Sequence, residues 1–253
     1  MIVGVGSWRG IGASTTALAV AASLAARDAL PWLVEADPSG GSLAVRLMLD
    51  PGDAGTLERL AFPTTRGTSV DRFADAAVDV TGMRVITAPG DPFRAWGCHT
   101  PRLAWQPMLR DLPGPVVIDL GRLHGGRPHA ALLAQLDVLV LVTNLDTIAL
   151  AATMQWADSL GKAAPGDVTL PLDITRVALV DAPIVASRVG RTEAETELGD
   201  RFAGWLPWAP EAVQLLHRGA PMSDRRMRRH ALTSAVEHLV DRLVDWTART
   251  EAA

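Results

Sequence analysis

Tyrosine is absent and cysteine occurs once, at Cys98. A lone thiol cannot close an internal disulfide, so the chain relies on its core, and a reducing, cytoplasmic setting is the expectation. Lysine also occurs once, at Lys162, which leaves 23 of the 24 basic residues as arginine. No apolar run approaches the roughly 18 to 20 residues that cross a bilayer, so no integral membrane segment is expected. The stretch "ALAVAASLAA" (residues 17–26) has the composition of a signal-peptide core, with Arg9 ahead of it. It follows a strand-like "MIVGVG" and a glycine-rich turn, however, and reads as a helix of the folded protein. The six histidines have no metal-ligand spacing, and His124 and His129, flanking a glycine-rich turn, are expected to face solvent. No cysteine–histidine or serine–histidine–aspartate arrangement stands out. A net charge of −4 excludes a protein coated in positive charge but not a local basic patch.

What is present is a chain of 253 residues, 48% hydrophobic and 21% charged, ample for a sizeable core. Apolar strand candidates fall at residues 1–6, 31–36, 83–88, 115–120, 137–143, 176–181 and 203–206. Alanine- and leucine-rich stretches with helical spacing separate most of them, such as 130–136 and 148–160. Short continuous apolar strands alternating with helices predict a mostly parallel sheet covered on both faces. The last stretch, 231–249, puts Leu232, Val236, Leu239, Leu243 and Trp246 on one helical stripe. Residues 99–107 and 161–171 read as loops within a domain rather than boundaries. The expectation is one three-layer α/β domain spanning residues 1–253.

Sites in such sheets form beyond the carboxyl ends of the strands. After the first strand, "SWRGIGAST" supplies a glycine-rich turn feeding a helix, whose first amides can hold an anion. After the second comes "VEADPSGGSLA", with Glu35 and Asp37. The strand "PVVIDLGRLHGG" carries Asp119, and "DVLVLVTNLDT" ends in Asn144 and Asp146.

Taken in order, these segments resemble the ParA/MinD branch of the P-loop ATPases, over nearly the full chain. That family's loop, K-G-G-x-G-K-[ST]-[ST], is matched by "WRGIGAST", residues 8–15. The resemblance implies a nucleotide site at Trp8, Arg9, Gly10, Gly12, Ala13, Ser14 and Thr15. It implies Mg²⁺ at Ser14 and Asp119, and an attacking water oriented by Asp37. "VTNLD" resembles the family's "VTNPE", and "LPWAPEAVQLLHRGAP" its segment bordering the base, which brings in Asn144 and Pro207.

The departures from the pattern bear on activity. Ala13 stands where the family has the lysine that reaches the β- and γ-phosphates. Trp8 stands where it has a second lysine that reaches across a dimer. Composition bias toward arginine does not explain Ala13, because a bias that spares charge would leave arginine there. The expectation is weak ATP and Mg²⁺ binding with little or no hydrolysis, and self-association that does not depend on ATP. In the other reading, Ser14 and Asp119 persist as architecture, the one capping a helix and the other satisfying nearby amides. Eight tryptophans are expected mostly in packing, with Trp205 and Trp208 either core or edging a pocket. Arg218, Arg225, Arg226, Arg228 and Arg229 form a basic cluster, suited to weak nonspecific DNA or a protein partner, or else simply solvated. The final helix, nearly charge-balanced, does not resemble the basic membrane-targeting tail of MinD.

Three functions follow from the resemblance. One is a degenerate, CpaE-like positioning or scaffolding factor for a partition, division, pilus or secretion machine. The second is an active but unusual ATPase using Arg9. The third is a DNA-binding accessory in chromosome or plasmid segregation.

Overall fold

The run "VLVLV" at residues 138–142 shows how the sequence builds the sheet. Val138, Val140 and Val142 pack into one buried layer, while Leu139 and Leu141 pack into the other. Successive side chains of a strand point to opposite faces, so a strand covered on both sides must be apolar throughout. The computed structural model describes residues 1–63, 67–99, 105–123, 127–160, 174–183 and 185–251. Eight strands form one sheet: β1 (Ile2–Ser7), β2 (Trp32–Glu35), β3 (Val78–Val80), β4 (Met83–Ile86), β5 (Val116–Arg122), β6 (Val138–Asn144), β7 (Thr175–Asp181) and β8 (Phe202–Pro207). Their order is β3-β4-β2-β5-β1-β6-β7-β8, parallel except for the β3–β4 pair.

Helices cover both faces, completing the three layers expected of the sequence. They are α1 (Ala13–Ala25), α2 (Leu43–Arg46), α3 (Leu57–Ala61), α4 (Ser69–Ala76), α5 (Pro92–Gly97), α6 (Ala130–Leu133), α7 (Thr147–Leu160), α8 (Arg191–Leu198), α9 (Pro210–His217) and α10 (Ala231–Glu251). One layer packs α1, α9 and α10 on Val3, Val5, Val117 and the valines of β6. The other packs α3, α4, α6, α7 and α8 on Ile118, Leu120 and the leucines of β6. The α10 stripe is as expected: Leu232, Val236, Leu239 and Leu243 are buried, and Trp246 lies half-buried against that layer.

Seven strands lie where the apolar runs predict them, and β3 is additional. It is three residues long and pairs antiparallel with β4 through Thr81 and Gly82, both at positive φ (45° and 83°). Two left-handed residues make the tight turn whose twist suits a hairpin. The expected loop at 161–171 lies outside the described residues, as do residues 100–104 of the loop at 99–107, and His124. His129 is corrected. It is buried rather than solvent-facing, with its Nε2 3.1 Å from the carbonyl oxygen of Leu120.

β1 sits centrally between β5 and β6, so the glycine-rich turn at its end emerges mid-sheet beside the carboxyl end of β5. Gly4 and Gly6 allow this close packing. A Cβ on Gly4 would lie 2.5 Å from a methyl of Leu136, and one on Gly6 2.8 Å from Cγ of Leu123.

Candidate functional site

The turn from β1 into α1 is held by left-handed backbone at Gly10 (φ 73°) and Gly12 (φ 71°), which a Cβ would strain. The Ser7 hydroxyl accepts from the Ile11 amide at 2.9 Å and fixes the turn from inside. α1 then starts at Ala13 with Gly12 as its cap, no side chain bonded to its end and no acidic residue in its first turn. The first-turn amides of a helix have no partner within it, and their dipoles favour negative charge. The end of α1 therefore has the electrostatics of an anion site. Ser14 does not cap the helix: it lies inside the first turn, contrary to the architectural reading.

Three carboxylates lie beneath and beside this helix end. Asp119 on β5 is fully buried, and its Oδ1 accepts from the Gly121 amide at 2.9 Å. Its Oδ2 makes no well-formed hydrogen bond among the described residues. Burial pushes its pKa up to about 6; the nearby Ser14 hydroxyl, the Gly121 amide and Arg46 act against this rise, and the charge of Asp37 adds to it. Glu35 at the end of β2 is also buried, and burial, with the neighbouring Asp119, raises its pKa. Its Oε1 accepts from the amides of Ser42 (2.6 Å) and Leu43 (2.8 Å), and its Oε2 from that of Ala88 (3.0 Å). Glu35 is thus a latch that ties the start of α2 to the end of β4. Asp37 is half-buried and accepts from the amides of Ser39 (2.7 Å) and Arg122 (3.4 Å). A Cβ on Gly121 would collide with its carboxylate, so glycine there lets Asp37 lie against the end of β5.

Two adjoining cavities open at this edge. The smaller, about 200 Å³, is lined by the loop and first turn of α1 together with Asp37, Ser42, Arg46, Gly121 and Arg122. The larger, about 640 Å³ and mostly apolar, lies between α1, α2, the end of β8, α9 and α10. Gly12, Thr15 and Arg46 border both. Arg46 donates from Nε to the Ser42 hydroxyl (3.0 Å), and its Nη1 lies 3.0 Å from Nε2 of His217 and 3.5 Å from the Thr15 hydroxyl. Burial and Arg46 hold the His217 pKa below its usual value, which favours the neutral ring that accepts from the guanidinium.

The residues singled out in the sequence divide between these places. Gly10, Gly12, Ala13, Ser14, Thr15 and Asp37 line the smaller cavity, with Asp119 buried behind Ser14 and Gly121. Pro207 lines the larger cavity, as does the exposed Trp208; Trp205 instead packs on Phe202 with its rings 5.5 Å apart. Of the residues that the resemblance places on the nucleotide, Trp8, Arg9 and Asn144 line neither. Arg9 is exposed, and Asn144 accepts from the Asp146 amide at 3.1 Å. Trp8 packs half-buried against Trp156, with their rings 6.0 Å apart. Arg218 borders the larger cavity, while Arg225, Arg226, Arg228 and Arg229 are exposed on a turn anchored by buried Met227, with Arg226 paired to Asp224. Sequence reasoning missed Arg46, His217 and Arg122 as cavity residues. Arg122 carried a signal, lying three residues after Asp119; Arg46 carried none.

A glycine-rich loop between a central strand and a helix, with an aspartate on the neighbouring strand, defines the class: an α/β fold of the P-loop type. No protein-family model matches the chain, and no curated protein sequence does. Solved structures make the fold particular. The cell division ATPase MinD of Pyrococcus furiosus is similar with a TM-score of 0.74 at 19% identity, over 96% of this chain and 98% of that one. The septum site-determining protein MinD of Pyrococcus horikoshii, complexed with Mg-ADP, gives 0.73 at 18% identity, over 96% and 95%. A ParA family ATPase of Chlorobium tepidum gives 0.61 at 17%, over 94% and 98%. The chain has the MinD/ParA fold.

Proposed function

We propose that the protein is a MinD/ParA-like positioning factor that binds nucleotide weakly and hydrolyses it slowly or not at all. It would act as a scaffold for a partition, division, pilus or secretion machine through a protein partner. The observation that carries this reading is Ala13, an uncharged, buried residue at the first position of α1. Losing a charged contact to phosphate costs roughly 2 to 5 kcal/mol where the partner is buried. The neighbouring cavities support a nucleotide in particular, one with helix amides and arginines for phosphates and one with apolar walls for a base. The similar structures support the role, since they include a septum site-determining protein and a cell division ATPase.

The donor set suits Mg²⁺. Ser14 and Asp119 offer hard oxygen ligands, and Asp119 keeps a buried oxygen without a well-formed hydrogen bond. These two residues would hold the ion, which when bound offsets phosphate charge. The reading of an active ATPase through Arg9 is not favoured, because that side chain is exposed and lines neither cavity. Calorimetry with Mg·ATP and a turnover assay test the proposal. Expected are weak binding, turnover at or below detection, and tighter binding after Ala13→Lys. Micromolar binding with sustained turnover by the native protein would refute it.

A further inference from the structure

We infer that Arg46 is the phosphate-binding cation of this site, supplying from α2 the charge that the loop lacks at Ala13. The inference rests on the nucleotide reading and goes beyond it by assigning the group that recognises the terminal phosphates. Four observations support it. First, Arg46 lines the small cavity opposite the first turn of α1 and lies 3.5 Å from the Thr15 hydroxyl. Second, Ala13, where the loop lacks a lysine, lines the same cavity as Arg46.

Third, among the described residues no carboxylate forms an ion pair with it, so its charge is not taken up within the chain. Its Nε and Nη1 hydrogen-bond to neutral groups, and its Nη2 makes no hydrogen bond among the described residues. A guanidinium with Nη2 unengaged, lining one cavity with the first turn of α1, is suited to bind a phosphate held there by helix amides. Fourth, the position is built. Glu35 fixes the Ser42 and Leu43 amides, and the Gly41 amide donates to the Pro89 carbonyl at 2.7 Å. These bonds set α2 against the sheet, and His217 holds the guanidinium from the far side.

The chemical class of ligand is thus a nucleoside di- or triphosphate, recognised at its terminal phosphates by α1 amides and Arg46.

The test titrates the native protein with Mg·ATP, Mg·pyrophosphate and adenosine by calorimetry. It repeats the series for Arg46→Ala, for Arg46→Lys, and for Arg46→Ala combined with Ala13→Lys, each checked by thermal melting. Expected is a loss of about 10- to 100-fold in ATP and pyrophosphate affinity for Arg46→Ala, with adenosine unchanged. Arg46→Lys should lose less, and the added lysine at position 13 should recover most of the loss. If Arg46→Ala binds ATP within about twofold of native, the inference fails while the nucleotide reading stands. If adenosine affinity falls in parallel with ATP, Arg46 shapes the pocket rather than binding phosphate, and the inference fails. If the native protein binds neither ATP nor pyrophosphate at millimolar concentration, both fall together.

Discussion

At Asp119, burial and charge oppose each other within one side chain. Burial raises its pKa from 3.8 to about 6, so the folded protein holds this proton more tightly than the unfolded chain does. Its contribution is therefore most favourable at low pH, declines as pH rises from 3.8 through about 6, and stays at its lower level above. Asp119→Asn removes the charge but keeps an acceptor for the Gly121 amide. It is expected to stabilise the protein at pH 7.5 by on the order of 2 kcal/mol, with the gain shrinking below pH 5. Urea melts across pH check this, and an unchanged or lower midpoint at pH 7.5 would contradict the assigned cause. The same variant should lose any Mg²⁺-dependent part of nucleotide binding, since one of the two proposed ligands exchanges its carboxylate for a neutral amide. Retaining an acid at this cost is reasonable where the carboxylate has work to do with a cation.

At the scale of elements, α2 matters most because it is four residues long and has little stability of its own. A helix this short cannot recover its nucleation cost from internal hydrogen bonds. Glu35 compensates by accepting two amides at its start and a third from Ala88. Glu35→Ala leaves those amides without their acceptor, at a cost of about 1 to 3 kcal/mol for each that stays buried. The expected outcome is faster hydrogen exchange across residues 36–48 and at Ala88, with the β5–β1–β6 centre of the sheet still protected. Uniform acceleration throughout the chain would mean that Glu35 supports the whole core instead of one element. ATP affinity should fall with the loosened segment, because Arg46 is carried on it.

For the whole molecule, two surfaces bear on the assemblies that the proposed function implies. Trp8, at the position that the resemblance assigns to a lysine crossing the dimer, packs against Trp156 in its own chain. If that contact is missing as proposed, nucleotide would have little differential affinity for a dimer and would shift the equilibrium little. Sedimentation should therefore give the same mass with and without Mg·ATP; strictly ATP-dependent dimers would refute this. The second surface is the arginine turn. Arg225, Arg226, Arg228 and Arg229 are all exposed around buried Met227, so they spread over a short turn rather than lining a groove. Four phosphate contacts would give a salt slope of about −3.6 on duplex DNA, hence weak binding at physiological salt. Replacing the four with alanine should abolish that binding. A native slope near zero would leave the turn as a solvated surface.

Much of this architecture is written locally. The alternation of short apolar runs with alanine-rich helices fixed seven strands, because a strand buried on both faces has no choice but to be apolar. The glycines of the loop marked the turn into α1, since left-handed backbone tolerates little else. Local pattern could not reveal β3, whose three residues are held in place by pairing with β4. Nor could it reveal the burial of His129, which depends on a ring reaching the Leu120 carbonyl. The charge at the site is the clearest case. The sequence alone determined that the loop has no lysine; only the tertiary structure decided that Arg46, 33 positions beyond Ala13, faces the same cleft. The physical reason is that a cleft is set by distances in space, and here the buried Glu35 carboxyl fixes them by latching α2.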